Sequence, residues 1–176
     1  MQAGRLRWGL LPGPWATKKG QRPLINARSE TIATQAAFKD SFAHRRCLIP
    51  ADGFYEWRRD EDGKRPIWFS SPGGELFAFA GIWARLEPAG GEPVTSCALL
   101  TCRPNAVVGA VHNRMPVVLG REAERAWVDT DAEAGDLQKL LVPAPEGLLV
   151  AREVGDAVND VREDGPHLLD PPLQLF

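Results

Sequence analysis

Five strand-like segments dominate the middle of the chain: RCLIPA, FYEWRR, RPIWFSS, ELFAFAGIWARL and PVTSCALLTC. Between them stand ADG, DEDGK, PGG and PAGGE, whose Gly, Pro and Asp residues suit tight turns. Segments so short and so closely spaced most readily satisfy their backbone polar groups by pairing with neighbours through hairpins. The spacing therefore predicts antiparallel sheet. Outside this run, Leu6, Trp8 and Leu10 alternate with Arg5, Arg7 and Gly9, the pattern of a strand with one buried face. Residues 29–44 read as a helix, with Ser29 as N-cap and Phe38 and Phe42 on one face. RPNAVVGAVHNR reads as a short helix running into a loop, GREAERAWV and DLQKLLV as helices, and GLLVAREV as a late strand. The tail VGDAVNDVREDGPHLLDPPLQLF has loop composition. The expected class is α+β: mostly antiparallel sheet forming a distorted barrel with peripheral helices, in one domain over residues 1–176.

Composition narrows the function classes. A hydrophobic share of 44% and a charged share of 25% are those of an ordinary globular protein. No apolar run approaches the roughly 20 residues of a membrane span, and MQAGRLRWGLLPGPW lacks the apolar segment and cleavage site of a secretory signal. Three cysteines, Cys47, Cys97 and Cys102, make no disulfide framework and suit a reducing compartment. A cytoplasmic protein without membrane contact is expected. Residues 1–65 carry 13 Lys/Arg against 7 Asp/Glu, a balance of +6, whereas the remainder carries 8 against 16, a balance of −8. Such asymmetry either marks an anionic partner for the first part or is a chance clustering of solvated charge.

A few residues stand out chemically. Glu56 lies between Tyr55 and Trp57; on a strand it shares a face with Phe54 and Arg58. It is either a rim carboxylate, facing solvent or paired with Arg58, or a proton carrier whose pKa its apolar neighbours raise. His112 follows the short helix in VHNRMP, and Arg114 adds a permanent forked donor suited to phosphate. In PLINARSE, Asn26, Arg28 and Glu30 alternate, so an extended chain projects all three from one side; a polar strand end is the plainer reading. Trp15, followed by Lys18, Lys19 and Arg22 in a Pro/Gly-rich loop, combines a stacking surface with cations, as single-stranded nucleic acid requires. A Cys3His zinc site from His44, Cys47, Cys97 and Cys102 is disfavoured, because residues five apart on a strand face opposite ways. No metal and no cofactor are expected. A Cys102–His112–Glu56 hydrolase is a further alternative, although LLTCRPN lacks an activating setting for its thiol.

Taken in order, WGLLPGPW, PLINARSETI, RRCLIPADGFYEW, VHNRMPVVL and VNDVREDGP resemble the SRAP family, the SOS-response-associated peptidases or abasic-site processing proteins. The resemblance runs from Trp8 to about Pro166. It implies covalent trapping of abasic sites in single-stranded DNA during the damage response. In that chemistry an N-terminal cysteine offers its amine and thiol to the ring-opened sugar aldehyde and closes a thiazolidine. By position, the resemblance gives Asn26 a hydrogen bond to the crosslinked centre and Arg28 the adjacent phosphate. Glu56 shuttles protons, His112 protonates the sugar hydroxyl, and Arg114 and Trp15 contact the strand. The same reactive end removes its own leading Met, hence the peptidase name. The implied partner is single-stranded DNA carrying abasic sites, bound by a monomer.

This chain departs from the family pattern at its start, Met1-Gln2-Ala3-Gly4, where family members begin Met-Cys-Gly-Arg several tens of residues before the WG..P.W block. The expectation is a SRAP domain incomplete at its N-terminus, through a gene start set too far downstream or as a natural fragment, and impaired in crosslinking. Two other functions stay open: a non-covalent single-stranded DNA-binding module and the Cys102 hydrolase.

Overall fold

The computed structural model describes residues 3–13, 22–61, 63–88 and 90–173. Its elements are β1 (Arg7–Trp8), β2 (Asn26–Arg28), α1 (Lys39–His44), β3 (Arg46–Ala51), β4 (Gly53–Asp60), β5 (Gly63–Ser70), β6 (Phe77–Leu86) and β7 (Val94–Cys102). After these come α2 (Ala106–Gly109), β8 (Met115–Pro116), β9 (Val118–Leu119), α3 (Arg121–Val128), α4 (Ala134–Lys139) and β10 (Val150–Glu153). Two 3-10 turns, Asp156–Asn159 and Pro166–Leu169, end the series. The chain divides into two compact units: Met1–Ile49 with Ala78–Cys102 and Pro116–Val142, and Pro50–Phe77 with Arg103–Met115 and Pro143–Phe176. The protein is α+β with antiparallel-rich sheets and few helices, as the turn spacing predicts.

The first unit rests on a sheet of order β1-β7-β6-β3, with β2 also on β7 and β9 on β6. Among the described residues no pairing closes that path into a barrel. β6 and β7 form the expected antiparallel hairpin, from Gly81 opposite Leu99 to Leu86 opposite Val94. β1 and β2, by contrast, pair with β7 in parallel, Arg7 opposite Ser96 and Asn26 opposite Leu99. Parallel partners so distant in sequence leave no local signature. At the heart of the unit Trp127 is fully buried, and its indole N–H is shared by the carbonyls of Cys47 (3.1 Å) and Gly81 (3.2 Å). The Arg46 guanidinium donates to the carbonyls of Phe42 (2.9 Å) and Ala43 (2.5 Å) at the end of α1, and to Trp127 (2.7 Å) and Asp129 at the end of α3. One cation thus satisfies the orphan carbonyls of two helix C-termini.

Two expectations fail locally. The helix of residues 29–44 is regular only over Lys39–His44; residues 29–34 and 36–38 are turns. Ser29 is no N-cap, since turns rather than a helix follow it; its amide donates to the Thr101 carbonyl of β7 (2.9 Å), while the Thr34 hydroxyl bonds the Thr31 carbonyl and favours a turn. Phe38 and Phe42 are buried one turn apart, as expected. The Leu6/Trp8/Leu10 face is not buried throughout: Leu10 is, but Trp8 is 64% exposed with its indole N–H on the Ile25 carbonyl (2.9 Å).

The second unit rests on a three-stranded antiparallel sheet, β10-β5-β4. β4 and β5 pair without interruption from Gly53 opposite Ser70 to Asp60 opposite Gly63. Phe54 stacks on Phe69 (5.1 Å) and Tyr55 tilts onto Trp68 (4.7 Å). The tail of loop composition covers the Tyr55/Trp57 face. The Trp57 indole N–H reaches Asn159 Oδ1 (2.8 Å), and the Tyr55 hydroxyl donates to Leu168 O (3.3 Å). Gly53 is required by close approach, because a Cβ there would collide with the Trp68 ring and the Phe69 carbonyl.

Two substitutions test this packing. Gly53→Ala should cost about 1–3 kcal/mol of unfolding free energy through overpacking. Gly135→Ala in α4, where a Cβ meets nothing within 4 Å, should stabilise by about 0.5–1 kcal/mol. Urea denaturation of both variants measures the contrast.

Candidate active site

β4 presents Glu56 on the face opposite Tyr55 and Trp57, in register with Ile67 of β5. Ile67 in turn faces Glu153 of β10, so Glu56, Ile67 and Glu153 form one row across the sheet. The side chain of Glu56 is 25% exposed. Burial pushes its carboxyl pKa above the ordinary range, and the nearby charge of His112 opposes that shift without cancelling it. Arg58, two residues along the same face, does not pair with Glu56. Its guanidinium lies 2.7 Å from Glu153 and 3.7 Å from Asp60, while Arg65 shares the same two carboxylates at 3.9 and 3.4 Å. The solvent-facing or Arg58-paired carboxylate of the plainer reading is therefore replaced by a half-buried one facing a histidine.

That histidine arrives on the segment after α2. The amide of His112 donates to the Val108 carbonyl (2.9 Å), which ends the helical turn and sets the ring against β4. His112 Nδ1 stands 3.5 Å from Glu56 Oε1, 3.0 Å from the Arg114 carbonyl and 3.2 Å from the Arg114 amide. A protonated Nδ1 donates to the carbonyl; an unprotonated one accepts from the amide. The nitrogen has a partner in both states, so taking up or releasing a proton there strands no polar group. A carboxyl of raised pKa gives up its proton less readily than an ordinary one, and beside such an imidazole it has a partner for proton exchange.

Asn26 and Arg28 lie in the first unit on β2, both exposed, with fully buried Ala27 between them. The predicted alternation holds for this pair, but β2 ends at Arg28 and Glu30 leaves the strand in a turn. The structure brings together Glu56, His112 and the Arg114 backbone in the second unit. Trp15, Lys18 and Lys19 lie outside the described residues.

The cysteines are not set up as nucleophiles. Burial pushes the Cys47 thiol up to about 12 and raises that of Cys97 as well, and Cys102 is 2% exposed. Among the described residues no group of three His, Cys, Asp or Glu side chains is placed to hold a metal, and no helix is long and apolar enough to cross a membrane. One polar residue escaped the sequence reading: Asn105, buried at the start of α2, whose side-chain oxygen accepts from Val108 N (3.1 Å) and whose amide donates to Ala144 O (3.2 Å). Its signal was an Asn just before a short helix, the N-cap position.

In this α+β protein the hairpin of β4 and β5 thus sets a half-buried carboxylate against an imidazole, an arrangement chemically able to pass protons. Comparison with known proteins gives the family. The model described as SOS response associated peptidase (SRAP) matches residues 1–161. The chain is 39% identical to the abasic site processing protein YoaM of Bacillus subtilis (strain 168), over 95% of this chain and 74% of that one. It is 31% identical to the abasic site processing protein YedK of Escherichia coli (strain K12), over 93% and 72% of the two chains. A crystal structure of a protein from Bacteroides thetaiotaomicron matches with a TM-score of 0.87 at 25% identity, covering 96% of this chain and 76% of that one. The chain belongs to the SRAP family.

The raised Glu56 pKa has a signed consequence for stability. Above its ordinary value of 4.5 the folded state holds the proton more tightly than the unfolded chain. Stability is therefore lost as pH rises from 4.5 through the raised folded value. Glu56→Gln, which cannot ionise, should be more stable than the wild type at pH 7, and the gap should close below pH 4.5. Thermal melts of both proteins across that range check the sign.

Proposed function

We propose that this protein processes abasic sites in single-stranded DNA, with Glu56 and His112 as its proton-transfer pair. The observation that carries the reading is the approach of His112 Nδ1 to a half-buried Glu56 carboxylate, in a family whose relatives are named abasic site processing proteins. The chemistry needs such a pair. An amine adds to the sugar aldehyde, and water leaves as the imine forms. A neighbouring thiol then adds to the imine carbon, and its proton passes to the ring nitrogen as the thiazolidine closes. Each step moves a proton that a positioned acid–base group can carry. Glu56 takes and returns the proton at nitrogen and oxygen, and His112 protonates the sugar ring oxygen as the ring opens. Asn26 holds the adduct, while Arg28, Arg114 and Trp15 grip the strand through phosphates and stacking.

On this reading the nucleophile is a terminal cysteine, because only a terminal residue carries a free amine beside its thiol; removal of a leading Met to expose it is the peptidase step. The protein acts as a cytoplasmic monomer in the SOS response, without a metal or cofactor. The buried thiols argue against a Cys102 hydrolase, and a non-covalent single-strand binder remains the competing function.

The test compares abasic single strands, intact single strands and duplex. Abasic single strands should be retained best, and Arg28→Gln and Arg114→Gln should each reduce the salt slope of binding by about one. In the protein extended to begin Met-Cys-Gly-Arg, a heat-stable adduct should appear on denaturing gels. Glu56→Gln or His112→Gln should slow its formation about 10²–10⁴-fold. Equal retention of intact and abasic strands, with no adduct, decides for the non-covalent module.

A further inference from the structure

Asn105 is a buried polar side chain, 7% exposed, that neither the sheets nor the proton-transfer pair explains. Its Oδ1 accepts from the Val108 amide (3.1 Å), its Nδ2 donates to the Ala144 carbonyl (3.2 Å), and its own amide meets Met115 Sδ (3.3 Å). Val108 is also the residue whose carbonyl receives the His112 amide (2.9 Å). Met115 directly follows Arg114, whose backbone bonds the His112 ring. Asn105 therefore meets the segment carrying His112 on one flank through its side chain and on the other through its backbone amide, and its Nδ2 ties that segment to Ala144. Capping alone does not account for it, since Ser, Thr or Asp caps a helix equally well, but only the amide caps with oxygen while donating to Ala144 with nitrogen.

We propose that Asn105 is the positioning residue for His112, its side chain fixing the imidazole at the Glu56 carboxylate by capping the helix before it and tying that helix to Ala144. The inference rests on Glu56 and His112 being the proton-transfer pair. The groups around Glu56 make its titration a gauge of where His112 lies. Arg58 on β4 and Arg65 on β5 are engaged by Asp60 and Glu153, and His112 is the cation whose charge lowers the Glu56 pKa against burial.

The experiment follows the Glu56 carboxyl by carbon-13 NMR titration in the wild type, Asn105→Ala, His112→Gln and the double variant. Asn105→Ala should shift the Glu56 midpoint upward, in the same direction as His112→Gln, and should add nothing in the His112→Gln background. Asn105→Ser keeps a capping oxygen but loses the bond to Ala144, so it should also shift the midpoint upward; it decides the matter if Asn105→Ala does not fold. A midpoint that stays put in both Asn105 variants while thermal stability falls overturns the proposal and leaves Asn105 a helix cap. If His112→Gln itself leaves the midpoint unmoved, the pair is uncoupled and the proposal falls. The proton-transfer reading is judged separately, by the rate of adduct formation on abasic strands in His112→Gln.

Discussion

The register of β4 against β5 is the constraint on which the site depends. Side chains alternate faces along a strand, so a slip of one residue would turn Glu56 toward the Tyr55/Trp57 side and expose the aromatics. Eight consecutive pairings prevent that slip, and two cross-strand aromatic pairs within them each contribute about 0.5–1.5 kcal/mol beyond their area. The same ladder sets Glu56 beside Ile67, which is nearly inaccessible to solvent. The carboxyl is thus desolvated on one side and open to His112 on another. Its raised pKa is a consequence of strand register as much as of its own chemistry.

The partner group is held differently. His112 sits beyond a four-residue helix too short to be stable alone, so its placement depends on hydrogen bonds from outside that helix. Asn105, Ala144 and Met115 supply them, and Glu146 accepts the amide of Ala106 as well (2.9 Å). A rigid hairpin therefore faces an imidazole on a loop tied at both ends. The site combines a fixed carboxylate with an imidazole whose Nδ1 can exchange donor and acceptor roles against one residue's backbone.

Much of this was legible in the sequence. The hairpin turns, the short helices after residue 104 and the outward alternation of Asn26 and Arg28 all follow from local pattern, because they depend on residues a few positions apart. What escaped depends on distant partners. The parallel docking of β1 and β2 on β7 joins segments about 70 to 90 residues apart and has no periodicity of its own. Trp8 is exposed where alternation predicts burial, since its burial depends on what packs over β1 rather than on β1 itself. The tail looked like loop because its role is to cap Tyr55 and Trp57 through single hydrogen bonds from Leu168 and Asn159.

The amino-acid sequence by itself determined the α+β class, the hairpin bearing Glu56 and, through its ordered motifs, the SRAP family. Tertiary structure alone decided that Arg58 would serve Glu153 rather than Glu56, that His112 would face the carboxylate, and that Asn105 would be buried between Val108 and Ala144. The physical reason is distance along the chain. A strand's face and a turn's type are set by neighbouring residues, whereas a side chain's ionisation depends on which remote groups folding brings to within a few ångströms.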